Sequence, residues 1–429
     1  SSRSVGARRR RWRGDSRRSP VAALADAGDG VDRDRLHSHL LMRVQVVDPS
    51  AYTRPYDHAL CAGLGRLGVD VELVTSHFVH GDLPAPDGYR VRELFYRHAF
   101  GPPGSAIRSL SKLAAHPVAM ARLRRVARGA DLVHFQWLPV QWLDAHMLPR
   151  TPLVLTAHDL LPREARPGQA RAQRRLYDAV DAVIVHSEYG RRALVGIGID
   201  AAKIHVIHHG AFEHLAGRTA KPLPLPAELE AHEGAVVLFF GLLRPYKGVE
   251  VLLQAWRQLK RSGAIGGAEL WIVGQPRIPL EPLRRGAGPG VRFVARFVSD
   301  DELRALFRRA DVVALPYVRT ERLDHSGVLA TALAFGKAIV LTEVGGFSEV
   351  AAEGAAWLVP PGDPTALADA LRTLATDRNA RERLGRQAQA AAGRSYSWHQ
   401  AAVSTLRVYE RVTGVCQESL ADPPQSRPL

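Results

Sequence analysis

The chain has 429 residues, 46% of them apolar, a formal charge of +15 and only two cysteines, Cys61 and Cys416. That much apolar material exceeds one ordinary core, because single domains stop growing near ~250 residues, and two cysteines exclude a disulfide framework or a cysteine-based metal site. No apolar run approaches the ~18 residues of a spanning helix and no secretory signal pattern is present, so the expectation is a cytoplasmic protein of two domains without a metal.

Residues 1–41 carry ten Arg and five Asp in a polar, aperiodic stretch, a composition that cannot bury a core and reads as a disordered basic tail. The first strand pattern, at 43–47, follows Met42, the first Met in the chain, which points to Met42 as the native start. Further strand patterns fall at 69–74, 131–135, 152–156, 181–185 and 204–207, with helical periodicity between them. Residues 214–234, with Lys221-Pro-Leu-Pro-Leu-Pro226, break both periodicities and read as a linker. A second series has strands at 235–240, 269–273, 291–295, 311–315, 338–342 and 356–359, and helices near 249–262, 300–309, 326–335, 364–376 and 380–392. A helix over 395–413 and a disordered tail over 414–429 close the chain. Alternation of this kind predicts an α/β fold of two parallel sheets facing a cleft, with ligands at the carboxyl ends of the strands.

Gly63-Leu-Gly-Arg-Leu-Gly68 matches a dinucleotide fingerprint by letter, but it ends a helical stretch and precedes a strand, which is the wrong context; helix termination is its role. Asp32-Arg-Asp34 lies in the tail and is discounted as a metal site. His205, His208 and His209 lack a convergent carboxylate or Cys and read as structural. The segment 105–128 sets Arg108, Lys112, Arg122, Arg124, Arg125 and Arg128 among Ile107, Leu110, Leu113, Val118 and Leu123. It suits either a solvated face or an anionic membrane surface, with Pro117 expected to kink or divide the helix. No stacking-aromatic pattern accompanies the charge, so nucleic acid is not an expected partner.

Two segments carry chemistry. In Phe240-Gly-Leu-Leu-Arg-Pro-Tyr-Lys-Gly248, a loop between a buried strand and an amphipathic helix projects Arg244 and Lys247, a guanidinium fork and a point charge able to neutralise a diphosphate. In Pro316-Tyr-Val-Arg-Thr-Glu-Arg-Leu-Asp-His-Ser-Gly-Val-Leu329, a polar loop enters a helix with Asp324 or Ser326 as N-cap, leaving the N–H groups of Ser326, Gly327 and Val328 for a phosphate. Ordinary surface charge and a plain capped helix are the alternative readings of each.

With Trp271-Ile-Val-Gly274, Ala334-Phe-Gly-Lys337, Gly345-Gly-Phe-Ser-Glu349 and Val359-Pro-Pro-Gly-Asp363 in order, the chain from about 42 to 412 resembles the retaining GT-B glycosyltransferases of family four, the group 1 glycosyl transferases. The resemblance implies an N-terminal Rossmann-like acceptor domain over 42–213, a donor domain over 235–394, and a closing helix that crosses back to the first domain. It implies a nucleotide-sugar donor, a glycan, lipid-linked or small-molecule acceptor, no cofactor, and transfer with retention and without metal. Arg244, Lys247 and His158, in Thr156-Ala-His-Asp159, take the catalytic positions. Gly241, Gly274, Asp324, Ser326, Gly327, Val328, Leu329 and Thr331 take the donor-binding positions. Tyr56 and Asp57 are the acceptor-side candidates, against helix capping by Asp57. The family's pair of glutamates maps to Leu323 and Thr331, so neither carboxylate is present and Asp324 is the candidate substitute. An epimerase or phosphorylase of the same fold and a non-catalytic nucleotide-sugar-binding homologue are the other functions left open.

Overall fold

The computed structural model describes residues 42–78, 85–102, 105–161, 167–217, 223–318 and 325–414; the tails, Leu323 and Asp324 lie outside them. The first sheet comprises β1 (Arg43–Asp48), β2 (Asp70–Thr75), β3 (Tyr89–Glu93), β4 (Leu132–Phe135), β5 (Leu153–Thr156), β6 (Ala182–Val185) and β7 (Ile204–Val206), all parallel in the order β3-β2-β1-β4-β5-β6-β7. The second comprises β8 (Val236–Phe240), β9 (Glu269–Val273), β10 (Val291–Val294), β11 (Val312–Leu315), β12 (Ala338–Thr342) and β13 (Trp357–Val359), in the order β10-β9-β8-β11-β12-β13.

Helices cover both faces of each sheet. They are α1 (Arg54–Arg66), α2 (Ala106–Val126), α3 (Gln141–Met147), α4 (Gln169–Ala179), α5 (Glu188–Gly196), α6 (Glu213–Ala216), α7 (Val249–Arg261), α8 (Leu280–Arg285), α9 (Asp300–Arg309), α10 (Gly327–Ala334), α11 (Phe347–Ala352), α12 (Pro364–Thr376), α13 (Arg378–Gly393) and α14 (Trp398–Thr413). Because both faces are covered, the central strands are mostly apolar rather than alternating; β4, β5, β6 and β11 are buried at every residue. Met42 is itself buried in the first core.

Strand β3 departs from the sequence expectation. It is the edge of the first sheet, with only Tyr89 buried, and charged pairs hold it: Arg90 to Asp70 at 2.8 Å and Arg92 to Glu72 at 2.7 Å. An edge strand of this kind has no apolar run to read.

Pro117 neither ends nor splits α2, which runs unbroken. His116, Ala119, Met120 and Leu123 anchor its inner face, and the residue whose carbonyl loses its donor to Pro117 is Leu113, on the solvent side. Water can satisfy that carbonyl, so the usual cost of an interior proline falls. Gly63 and Gly65 lie within α1, and Gly68 follows it at φ +87°, ahead of β2.

Helix α14 returns to the first domain. Ala401, Ala402, Leu406, Val408 and Tyr409 share a core with β1, β2 and α1, and Ala211 donates to the Tyr396 carbonyl at 2.6 Å. The domains also meet at α5, where the Glu349 carboxylate accepts the N–H groups of Glu188 (3.0 Å) and Tyr189 (2.9 Å).

Candidate functional site

Glycines let the loops at the carboxyl ends of the second sheet close on one another. Gly241 and Gly274 have φ +109° and +144°, and a Cβ on Gly274 would fall 2.0 Å from the Gly241 carbonyl oxygen. Gly248, at φ +68°, sits where a Cβ would be 1.8 Å from the Pro316 oxygen. Only a glycine permits that approach, and it seats the short turn Pro245–Lys247 against the exit of β11.

Lys247 is thereby buried, with its ammonium donating to the Tyr317 hydroxyl and lying 4.1 Å from the centre of that ring. Tyr317 and Ser326 share a hydrogen bond of 3.0 Å. The empty side-chain position of Gly241 faces the same point, 3.8 Å from Lys247 Nζ and 3.3 Å from a Val328 methyl. Gly241, Lys247, Ser326 and Val328 therefore converge, with Gly274 behind Gly241.

Helix α10 begins there. Ser326 occupies the N-cap position, yet its side chain makes no cap hydrogen bond, being engaged with Tyr317. Its own hydroxyl thus leaves the first-turn N–H groups from Gly327 to Leu329 to other acceptors. The Leu329 side chain is wholly buried in the second core, so Leu329 can offer a ligand only its backbone. Thr331 is buried too, its hydroxyl donating to the Gly327 carbonyl at 2.9 Å.

Across the cleft is a cavity of about 530 Å³ walled by Ser50, Tyr52, Gln136, Trp137, His158 and Asp159 of the first domain, with Arg244 reaching in from the second. The His158 ring lies flat on Trp137 (5.3 Å, 16°). Its Nε2 is 2.9 Å from the Gln136 amide oxygen and its Nδ1 is 3.3 Å from Nε2 of His186. Gln136 meets His134, which bonds Tyr409 on α14 at 2.7 Å. The His158 ring is thus held on both edges by a polar chain reaching the last helix.

Tyr56 and Asp57, expected on the acceptor side, do not face the cavity. The helical register of α1 turns them inward with Leu60, Cys61 and Leu64. Tyr56 packs edge-on among His158 (4.7 Å), His209 (5.0 Å) and Trp398 (4.9 Å). Asp57 is fully buried, and burial, followed by the neighbouring Asp48, pushes its carboxyl well above the usual range. Asp48 is raised by burial as well, so the pair is relieved when one holds a proton. The dyad organises the loop that does line the cavity. Asp48 accepts the N–H groups of Ser50 (3.1 Å) and Thr53 (3.0 Å), Asp57 accepts the Thr53 hydroxyl (3.3 Å), and Thr53 accepts the Trp137 indole N–H (3.0 Å).

Between the two walls stand buried, neutral histidines. Burial pushes His186 down to about 3 and His209 to about 4. His325 lies parallel to His209 (5.1 Å, 14°); burial holds it well below its ordinary value, and neither ring nitrogen has a hydrogen-bond partner. His208 and His209 donate to the carbonyls of His186 and Gly210, in keeping with a structural role. Sequence reasoning assigned no role to Tyr317 or His325. The only available signal was their place at the two ends of the loop entering α10.

Among the described residues, no helix is long and apolar enough to cross a membrane. The family model described as Glycosyltransferase Family 4 matches residues 56–211, and the one described as Glycosyl transferases group 1 matches residues 234–377. A relative named D-inositol 3-phosphate glycosyltransferase, from Kineococcus radiotolerans, is 30% identical over 414 residues, spanning 85% of this chain and 91% of that protein. A phosphatidyl-myo-inositol mannosyltransferase of Mycobacterium leprae is 38% identical over 184 residues, 42% of this chain and 47% of that one. Among solved structures, sucrose-phosphate synthase from Thermosynechococcus elongatus shares the fold with a TM-score of 0.64 at 18% identity, covering 87% of this chain and 100% of its own. Anabaena Alr3699/HepE in complex with UDP and glucose gives 0.63 at 18% identity, covering 86% and 100%.

Proposed function

The chain belongs to the group 1 glycosyl transferases of glycosyltransferase family 4, and we propose that it transfers a sugar from a nucleoside-diphosphate donor to an acceptor hydroxyl with retention of configuration and without a metal. The observation that carries this reading is the convergence of Lys247, Gly241 and the open head of α10 at one point, with Arg244 entering the adjoining cavity. Two cations and a helix N-terminus are the groups that stabilise charge developing on a diphosphate leaving group. They supply the positive charge that a metal provides elsewhere.

Thr331 stands at the position of the family's second glutamate and turns its hydroxyl back to its own helix, which leaves Asp324 as the candidate side chain for the donor ribose. The described carboxylate lining the cavity is Asp159, on the first-domain wall, and we assign it to the acceptor. With no nucleophile assigned on the donor side, the step is a front-face displacement in which leaving-group stabilisation carries the catalysis.

A thermal-shift panel of UDP, GDP, ADP, dTDP and their sugar conjugates tests the donor site, since a ligand at ~100 times its Kd adds about 2.7 kcal/mol. A base-selective shift in the parent that is lost in Lys247→Ala supports the reading. No shift with any nucleotide overturns it.

A peripheral location, on the cytoplasmic side of a membrane, is a second reading with its own observation. The outermost ridge of α2 is apolar: Ile107 (58% exposed), Leu110 (67%) and Val118 (55%) face solvent, with Arg108, Lys112 and Arg122 beside them on the helix. An outward apolar stripe flanked by cations fits an anionic lipid surface better than bulk water.

A further inference from the structure

We propose that Asp57 is a positioning residue for the transfer: as an undissociated carboxylic acid it donates to Asp48, and the pair holds in place the loop from Ser50 to Thr53, the indole of Trp137 and, through Trp137, the ring of His158. Its part in sugar transfer rests on the transferase reading above. Both carboxyls are fully buried and within hydrogen-bonding reach of each other. Two carboxylates in contact and out of water repel, so one proton on the pair is the stable state. The surrounding donors decide which of the two carries it. Asp48 accepts the N–H groups of Ser50 and Thr53, one on each oxygen (3.1 and 3.0 Å), which suits a carboxylate. Asp57 accepts the Thr53 hydroxyl on Oδ1 (3.3 Å), while its Oδ2 is buried and receives no donor, which makes that oxygen the seat of the proton.

The charged and titratable groups around the pair keep the proton there. Arg54 on α1 lowers Asp57 by its charge, but by less than burial and Asp48 raise it. Tyr56 and Cys61 of α1, Tyr89 of β3 and Tyr96 ahead of α2 are all pushed up by burial and are neutral. Lys112, on α2, feels the charge of Asp48, which favours Asp48 as the ionised partner.

The consequence reaches across the acceptor wall. Thr53 occupies the N-cap position of α1, yet its side chain caps nothing; its hydroxyl donates to Asp57 and accepts the Trp137 indole N–H (3.0 Å). Trp137 in turn lies flat on His158 and edge-on to Tyr52. A further buried carboxyl closes the floor of the cavity from the other side. Asp144 accepts the Val140 N–H (2.8 Å), meets His116 of α2 (2.5 Å), and His116 meets the Tyr96 hydroxyl (2.8 Å), with Ser50 beside that hydroxyl. The two non-glycine residues with positive φ among those described, Ala51 (+51°) and Tyr96 (+52°), lie in the segments that these bonds pin, as such conformations require. A second negative charge on the pair would push Asp57 from Asp48, and with it the Thr53 hydroxyl that fixes Trp137.

The test uses the full chain. Infrared difference spectra in heavy water should show the C=O stretch of an undissociated carboxylic acid at pH 7, lost in Asp57→Asn. The indole N–H resonance of Trp137, assigned by its loss in Trp137→Phe, should move in Asp57→Ala and hold its position in Asp57→Asn, whose amide still donates to Asp48. Neither readout needs turnover, so both decide the arrangement if no nucleotide shifts the melt and the transferase reading falls, or if no acceptor offered reacts. For turnover, the donor is the nucleotide sugar that shifts the melt most, and the acceptors offered are the methyl glycosides of glucose and mannose, myo-inositol and myo-inositol 1-phosphate. Asp57→Ala should raise the acceptor KM by roughly tenfold, the scale of one lost hydrogen bond to a charged group, without moving the donor KM or the nucleotide melting shift. Asp57→Asn should restore most of that loss. As pH rises, the acceptor KM of the parent should rise in step with loss of the acid band, and that of Asp57→Asn should not. If Asp57→Ala does not fold, Thr53→Val breaks the same link from the loop side and should raise the acceptor KM with the acid band retained. Absence of the acid band at pH 7, an indole resonance or acceptor KM indifferent to Asp57→Ala, or an Asn variant as impaired as the Ala one overturns the proposal.

Discussion

The ammonium of Lys247 is held by the hydroxyl of Tyr317, which also shares a hydrogen bond with Ser326 at the head of α10. The cation therefore lies beside the helix terminus where the diphosphate is proposed to bind. Lys247→Ala should lower turnover by ~10²-fold or more, the scale of removing one preorganised electrostatic donor. Tyr317→Phe removes the hydroxyl that bonds both Lys247 and Ser326 and should cost about 10-fold, the scale of a hydrogen bond to a charged group. Steady-state kinetics decide it, and turnover of Lys247→Ala within a factor of about two of the parent would refute the assignment.

Glu349 links the domains by capping α5 from the opposite side, with two carboxylate-to-amide bonds of 3.0 and 2.9 Å. Bonds from a charged acceptor to a helix N-terminus are each stronger than neutral ones, about 1.5–3 kcal/mol. Glu349→Ala should therefore loosen this contact between the domains, raising the KM values for donor and acceptor together and enlarging the radius of gyration seen by small-angle scattering. Unchanged scattering and unchanged KM values would show that the contact does not hold the cleft.

How much of this was legible in the sequence follows from where each signal resides. The central strands could be read because a parallel sheet covered on both faces writes continuous apolar runs. Strand β3 could not, because its stability comes from Arg90 and Arg92 meeting Asp70 and Glu72 of the neighbouring strand. Arg244 and Lys247 were legible as cations in one short loop. The pairing of Asp48 with Asp57 was not, since it depends on a loop folding back on the first turn of α1. Tyr56 and Asp57 were acceptor-side candidates, against helix capping by Asp57, because sequence shows a helix's register but not which side meets the sheet. Pro117 misled for a related reason: its local rule holds only where the freed carbonyl is cut off from water.

The ridge of α2 makes a separable prediction. Vesicles containing anionic lipid should co-sediment the protein, and Ile107→Ser with Leu110→Ser should abolish that binding while leaving the nucleotide melting shift intact. Loss of one buried apolar side chain from a lipid interface costs about 1.5–3 kcal/mol, so the pair should weaken binding by well over tenfold. Binding equally strong on neutral vesicles, or undiminished in the double variant, would remove the membrane reading.

Stability should fall on mild acidification, and the buried histidines set the sign. His134 and His186 are held at about 3 and His209 at about 4, all by burial, with His325 well below its ordinary value. In the unfolded chain each titrates near 6.5. The stability they contribute is therefore complete above that value and is lost as pH falls toward the folded values, because the unfolded chain binds protons the native state refuses. Each contributes a slope of about 1.4 kcal/mol per pH unit across that window. Asp48 and Asp57 act in the opposite sense. Their raised carboxyls keep protons that the unfolded chain gives up, so their contribution is complete below about 3.8 and lost as pH rises through the folded values. Four histidines outweigh two carboxyls, and the melting temperature should drop between pH 7 and pH 5. His325→Phe keeps a flat ring against His209 but removes two ring nitrogens without partners, so it should flatten the pH dependence without lowering the melting temperature at pH 7. Calorimetry from pH 5 to 8 measures both, and a melting temperature that holds or rises toward pH 5 in the parent would contradict the assignment of these rings as neutral in the folded state.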